Sequence, residues 1–161
     1  MMMTTEEITK YLNQRFEGKI EFIEAEVGES WITVSPSILR ELAKTLRDDE
    51  KLRFNNLMCL SGVHYQKENE LGVTYHLDST IHRHKLVMKV RVPEEKPVVP
   101  SVESLWKTAN WHEREAYDLI GVTFRGHPDL RRILTPQDWE GHPLRKDYEQ
   151  QETYHNVTTG I

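Results

Sequence analysis

The segment that follows Gly121 constrains this chain most. GHPDLRRILTPQDWEGHPLRKDY, from Gly126 to Tyr148, carries large apolar groups at Leu130, Ile133, Leu134, Trp139 and Leu144. Prolines at 128, 136 and 143 and a doubled Gly-His-Pro prevent any helix or strand period from running through it. Such an arm cannot satisfy its backbone N–H and C=O groups in a ladder of its own. It needs a surface to lie on, and the expected surface belongs to another protein. The remainder, EQQETYHNVTTGI, is polar enough to lack a fixed form by itself.

The rest of the chain is periodic. From Thr5, read as a cap, Ile8, Tyr11, Leu12 and Phe16 share one helical face that stops at Gly18. KIEFIEAEV and SWITVS read as strands about a turn at Gly28, and Ser35-Pro36 opens a second helix buried through Ile38, Leu39, Leu42, Ala43 and Leu46. FNNLMCLSGVHY, GVTYHLDST and KLVMKVRVP follow as three strands. PEEKPVVPS reads as an extended linker ending at Ser101, the expected cap of a third helix over 102–120. The order α-β-β-α-β-β-β-α predicts an α+β fold: a two-layer domain with a mixed sheet over residues 1–121, followed by an extended irregular arm over 122–161.

On the third helix, Val102, Leu105, Trp106, Ala109, Ala116, Tyr117 and Ile120 fall along one line. Glu113 lies on that same line, where a carboxylate needs a partner. Arg131 or Arg132 of the arm is the expected one. Trp111 points away with Lys107, Arg114, Glu115 and Asp118, so it is expected to be exposed. An outward Trp beside an arm rich in Trp and Arg has interface composition.

Composition narrows the chemistry. A net charge of −5 argues against general nucleic-acid binding. One cysteine, Cys59, excludes an internal disulfide and any Cys-rich metal or iron–sulfur motif on the chain itself, and it reads as a core residue of its strand. The acidic start, MMMTTEEITKYL, is unlike a signal peptide, and no apolar run approaches the roughly 20 residues that span a bilayer, so a cytoplasmic location is expected. The eight histidines include the pair in HRH at 82–84 and the strand residues His64 and His76, but none has a known metal-motif spacing. They are expected at turns and on the surface, with His127 and His142 bonded to backbone or carboxylate between Gly and Pro. No nucleophile motif or phosphate loop is present, leaving no catalytic or cofactor-binding residue to nominate.

From Trp111 to Tyr148, and most clearly in EREAYDLIGVTFRGHPDLRRILTPQDWEGHPLRKDY, the chain resembles the 30 kDa subunit of respiratory complex I, the proton-pumping NADH–quinone oxidoreductase. The resemblance implies a peripheral, non-catalytic subunit on the cytoplasmic side of the cell membrane. It would touch the membrane only indirectly and pack against the 49 kDa subunit and adjacent cluster-carrying subunits. Flavin, iron–sulfur clusters and the quinone site would lie elsewhere in a complex that moves electrons from NADH to quinone with proton translocation. It makes Trp111, Glu113, Arg114, Glu115, Asp118, Arg131, Arg132, Asp138, Trp139, Arg145, Lys146 and Asp147 the anchoring groups of the arm. Two other readings stay open: the equivalent subunit of a membrane-bound hydrogenase or ferredoxin-linked complex, and a free-standing metal hydrolase built on the histidines.

Overall fold

Helix caps set the first elements. In the computed structural model, which describes residues 2–159, helix α1 spans Thr5–Phe16. Its cap is Thr4 rather than Thr5, because the Thr4 hydroxyl accepts the Glu7 N–H while the Glu7 carboxylate accepts the Thr4 N–H. Strands β1 (Ile20–Ile23) and β2 (Trp31–Val34) precede helix α2 (Pro36–Asp48). The Ser35 hydroxyl caps α2 at the Ser37 N–H, with Pro36 in the first turn as expected.

Strands β3 (Asn56–Tyr65), β4 (Glu70–Asp78) and β5 (Lys85–Pro93) complete a five-stranded mixed sheet of order β1-β2-β5-β4-β3. The β2–β5 pair is parallel and the other pairs are antiparallel. Alternation puts Ile32, Leu71, Val73, Tyr75, Leu77, Leu86, Met88, Val90 and Leu60 on one face, all buried under the helices. The other face carries polar and amphipathic groups. Lys89 Nζ stands 3.5 Å over the Trp31 ring and the Arg91 guanidinium 4.0 Å over Tyr65. Cys59 lies on this second face, half-buried beside Ser61, rather than in the core.

Two expectations for the middle of the chain need correction. The linker is not wholly without structure: Val98–Pro100 forms strand β6 and pairs in parallel with β7, Thr123–Arg125. Helix α3 spans Ala109–Ile120, so it starts seven residues later than the apolar period suggested and Ser101 is not its cap. Residues 102–108 form tight turns instead, with Leu105 and Trp106 N–H groups both donating to the Val102 carbonyl. Val102 and Trp106 are nevertheless buried, and the Trp106 indole N–H reaches the Phe54 carbonyl at 2.9 Å. The period reported the burial correctly and the conformation wrongly. Helix α3 rests on β3, where Gly62 leaves room for Ile120; a β-carbon there would meet Ile120 at 3.0 Å.

After β7 the arm runs without regular structure to a short hairpin of β8 (Thr153–Tyr154) and β9 (Val157–Thr158). The polar tail therefore has a form through residue 159. His155 and Asn156 both take positive φ in the two-residue turn, and Tyr154 and His155 bond the two oxygens of Asp138. The last two residues of the 122–161 arm lie outside the described residues. Among the described residues, no helix is long and apolar enough to cross a membrane.

Candidate functional site

The arm does not wait for a partner to satisfy its backbone. It lies on α3, and Asp118 is the residue it folds around. Asp118 Oδ2 accepts the N–H groups of Ile133, Leu134 and Thr135 at 3.0, 2.7 and 3.0 Å, while Oδ1 accepts the Arg132 guanidinium at 2.9 Å and the Thr135 hydroxyl. Arg132 continues the network to the carbonyls of Trp139 and Gly141, both at 2.9 Å. Burial alone would raise the Asp118 pKa. The Thr135 hydroxyl, the Thr135 and Leu134 N–H groups and Arg132 outweigh it and hold the carboxyl well below the usual range. Asp118 and Arg114, expected on the outward face, are thus both buried by the arm. Arg114 Nε donates to the Arg131 carbonyl, and its guanidinium stands 4.7 Å from the Trp111 ring.

The end of α3 is a second anchoring point. Gly121 ends the helix at φ 90°, and a β-carbon there would lie 2.7 Å from the His142 ring and 2.8 Å from Arg145. Only glycine permits that approach. His142 Nδ1 bonds the Asp118 carbonyl, the Leu144 N–H donates to the Leu119 carbonyl, and Arg145 Nε donates to the Ile120 carbonyl at 2.7 Å. The last-turn carbonyls of α3 are therefore satisfied by the arm. His127, as expected, bonds backbone, with its ring nitrogens facing the Asn110 carbonyl and the Asp129 N–H.

Glu113 is fully buried, but its expected partner was wrong. The Ser101 hydroxyl donates to Oε2 at 2.6 Å and the Val102 N–H to Oε1 at 2.7 Å, while Arg131 pairs with Asp129 and Arg132 with Asp118. Glu113 fixes the entry to α3 and does not hold the arm. Burial pushes its pKa up to about 7, against the lowering effect of Ser101 and Val102.

Of the other anticipated anchors, Trp139 is half-buried, its indole N–H bonding the Tyr148 hydroxyl and its ring 5.2 Å from Tyr154. Asp138 holds the terminal hairpin, and Arg145 also pairs with Glu94 at 3.1 Å. Glu115, Arg131, Lys146 and Asp147 are exposed, as is Trp111 at 63% of its surface. Leu134 (62%) and Leu144 (61%) join it. All three large apolar groups sit on backbone held by α3, with Leu134 fastened to Asp118 and Leu144 to Leu119.

Sequence reading missed Ser101, Thr135, Glu94 and His64 as parts of these networks, whereas His142 bonds backbone as expected. His64 and His84 are buried, contrary to the expectation of surface histidines, and His84 bonds the Leu52 carbonyl. His64, Glu94 and Asp147 bring one potential metal-ligand atom each to within 4.8 Å of one another. There, however, His64 Nδ1 already accepts the Lys146 N–H and Arg145 already pairs with Glu94. The arrangement is a hydrogen-bond junction between sheet and arm. What the whole site can do chemically is hold and display a rigid, partly apolar surface.

Residues 32–154 match the family described as respiratory-chain NADH dehydrogenase, 30 Kd subunit. The chain is 55% identical over 117 residues to an NADH-quinone oxidoreductase subunit of Chloroherpeton thalassium, across 72% of this chain and 48% of that protein. It is 54% identical over 118 residues to the protein of the same name from Chlorobium phaeobacteroides, across 73% and 71% of the two chains. The chain thus spans about half the length of the first relative and more of the second. Among solved structures, it resembles Nqo5 of a trypsin-resistant fragment with a TM-score of 0.64 and 28% identity, over 76% of this chain and 98% of that one. A chain of the membrane-bound sulfane sulfur reductase, an archaeal respiratory membrane complex, shares the fold at TM-score 0.74 and 24% identity, over 89% and 85% of the two chains. The matched family covers most of this sequence, from β2 to β8: the chain belongs to the 30 kDa subunit family of respiratory-chain NADH dehydrogenase.

Proposed function

We propose that this chain is the non-catalytic scaffold subunit of a peripheral arm in an NADH–quinone oxidoreductase, on the cytoplasmic side of the membrane. It docks on the 49 kDa subunit of that complex through α3 and the arm seated on it. Flavin, iron–sulfur clusters and the quinone site belong to other subunits. One observation carries the docking reading: Trp111, Leu134 and Leu144 stand exposed on backbone that is itself firmly anchored. Exposed apolar groups on fixed backbone lose little conformational freedom on binding, which favours affinity. Membership of a family named for an NADH dehydrogenase, with about half of the aligned residues identical to the two proteins named above, supports NADH as the donor of the complex. The sulfane sulfur reductase neighbour has the same fold outside that setting, so fold shape alone does not set the donor.

Trp111→Ala is the test. The indole is exposed in the free chain, so its loss leaves the thermal midpoint within a degree or two. Affinity for the purified 49 kDa subunit falls by about 2 kcal/mol, or some thirtyfold, in a calorimetric titration. Unchanged affinity would remove Trp111 from the interface and take the central support from this docking face.

A further inference from the structure

The junction around His64 has a property that its anchoring role does not require. His64 lies near the end of β3 on the helix-covered side, and its side chain is 1% exposed. Nδ1 accepts the Lys146 backbone N–H at 3.1 Å, a bond that joins the sheet to the arm across 82 positions. An imidazole nitrogen that accepts a hydrogen bond carries no proton, so the ring is the neutral Nε2–H tautomer. That Nε2 is buried without a hydrogen-bond partner, and Glu94 Oε2 stands 3.6 Å from it. On the other side, Asp147 Oδ1 stands 3.5 Å from Nδ1, beside the very amide that Nδ1 accepts.

The surroundings divide cleanly by charge. Glu94, in the link after β5, and Asp147 place carboxylates beside the ring. Arg145, bound to Glu94 at 3.1 Å, and the Lys146 N–H stand on the opposing side of the balance. The same-face neighbours on β4 and β5, Leu71 and Val92, are apolar, as are Ala116 and Ile120 over the adjacent Gly62. A proton arriving at Nδ1 turns an acceptor into a donor. It then confronts another donor, the Lys146 N–H, while a carboxylate stands one residue further along the arm.

We propose that His64 is a proton-operated latch on the arm. Neutral, it grips the Lys146 amide; protonated, it releases that amide and donates to Asp147, re-seating residues 145–147 against the sheet. The proton comes from solvent and returns to it, and no other bond changes. A metal at this junction is the weaker reading. A metal on Nε2 needs a proton on Nδ1, and a metal on Nδ1 needs its lone pair, so either displaces the Lys146 N–H.

The test uses the full chain labelled with ¹⁵N. At pH 7.5, long-range imidazole spectra should show Nδ1 of His64 unprotonated. Between pH 7.5 and 5.5, hydrogen-exchange protection of the Lys146 amide should fall about tenfold after correction for intrinsic exchange. In His64→Asn, whose side-chain oxygen accepts the same N–H without titrating, protection should stay level over that range. A protonated Nδ1 at pH 7.5, level protection in the unaltered chain, or a persisting fall in His64→Asn would each overturn the latch. The tautomer and the wild-type protection require no variant, so poor folding of His64→Asn does not spare the proposal.

Discussion

Asp118→Ala should release the arm from α3 while the sheet stays folded. The substitution removes one carboxylate that accepts three consecutive backbone N–H groups, the Thr135 hydroxyl and the Arg132 guanidinium. Arg132 is left mostly buried without its counter-charge, which is the costly half of breaking such a pair. A loss of about 3 kcal/mol is expected, at the lower end of the range for buried pairs because water can reach a freed arm. Hydrogen exchange localises it. Amides of Ile133, Leu134 and Thr135 should lose protection by about a hundredfold, with Leu71, Tyr75 and Met88 in the central strands unchanged. Unaltered protection at Leu134 would mean the arm is held by something other than this network. Because folding depresses the Asp118 pKa, its contribution is complete above the ordinary value near 3.8 and fades as pH falls below it.

Glu113→Gln should act in the opposite sense and stabilise the protein above neutral pH. Glu113 is fully buried and its pKa is raised from 4.5 to about 7. Between those values the folded chain holds a proton that the unfolded chain has released, so stability falls as pH rises through that window and levels off above it. The cost of ionising the buried group at pH 8 amounts to about 3 kcal/mol. Glutamine avoids this cost but cannot accept from both Ser101 and Val102, and a lost hydrogen bond costs about 1 kcal/mol. The net gain expected at pH 8 is about 2 kcal/mol, shrinking toward zero or reversing at pH 5, as read from urea midpoints. A variant less stable than the parent at pH 8 would show that the two hydrogen bonds outweigh burial and that Glu113 is stably ionised.

Both residues show how far the sequence could be read. The helical period placed Glu113 on the buried line because that face meets β3, and helix geometry alone decides it. The same period placed Arg114 and Asp118 in solvent, because a wheel takes no account of chain that folds back over it. The donors that bury Asp118, Arg132 and Thr135, lie within the following stretch of sequence. They could not be assigned to it without the turn at Gly121 that brings them round. Ser35-Pro36 was legible because capping is local. Ser101 was misread as the cap of the third helix: its hydroxyl accepts the Glu103 N–H of the next turn but donates to a carboxylate twelve positions away, and the helix itself begins only at Ala109. His64 was beyond reach: its relation to Glu94 and Asp147 exists only once sheet and arm have met. The apolar character of the arm was read correctly as needing a surface, but much of that surface is α3 of the same chain.

That division leaves the displayed residues as the docking claim. The direct measurement is co-expression of the chain with the 49 kDa subunit, followed by size exclusion, alongside a version ending at Gly126. Removing the arm takes away Leu134 and Leu144 and leaves Trp111 alone. The full chain should elute with the larger subunit as a stable complex, and the shortened chain should elute apart from it while retaining the circular dichroism of a folded sheet. Co-elution of the shortened, folded chain to the same extent would contradict the account, because the arm would then contribute nothing to the docking for which its exposed residues are proposed.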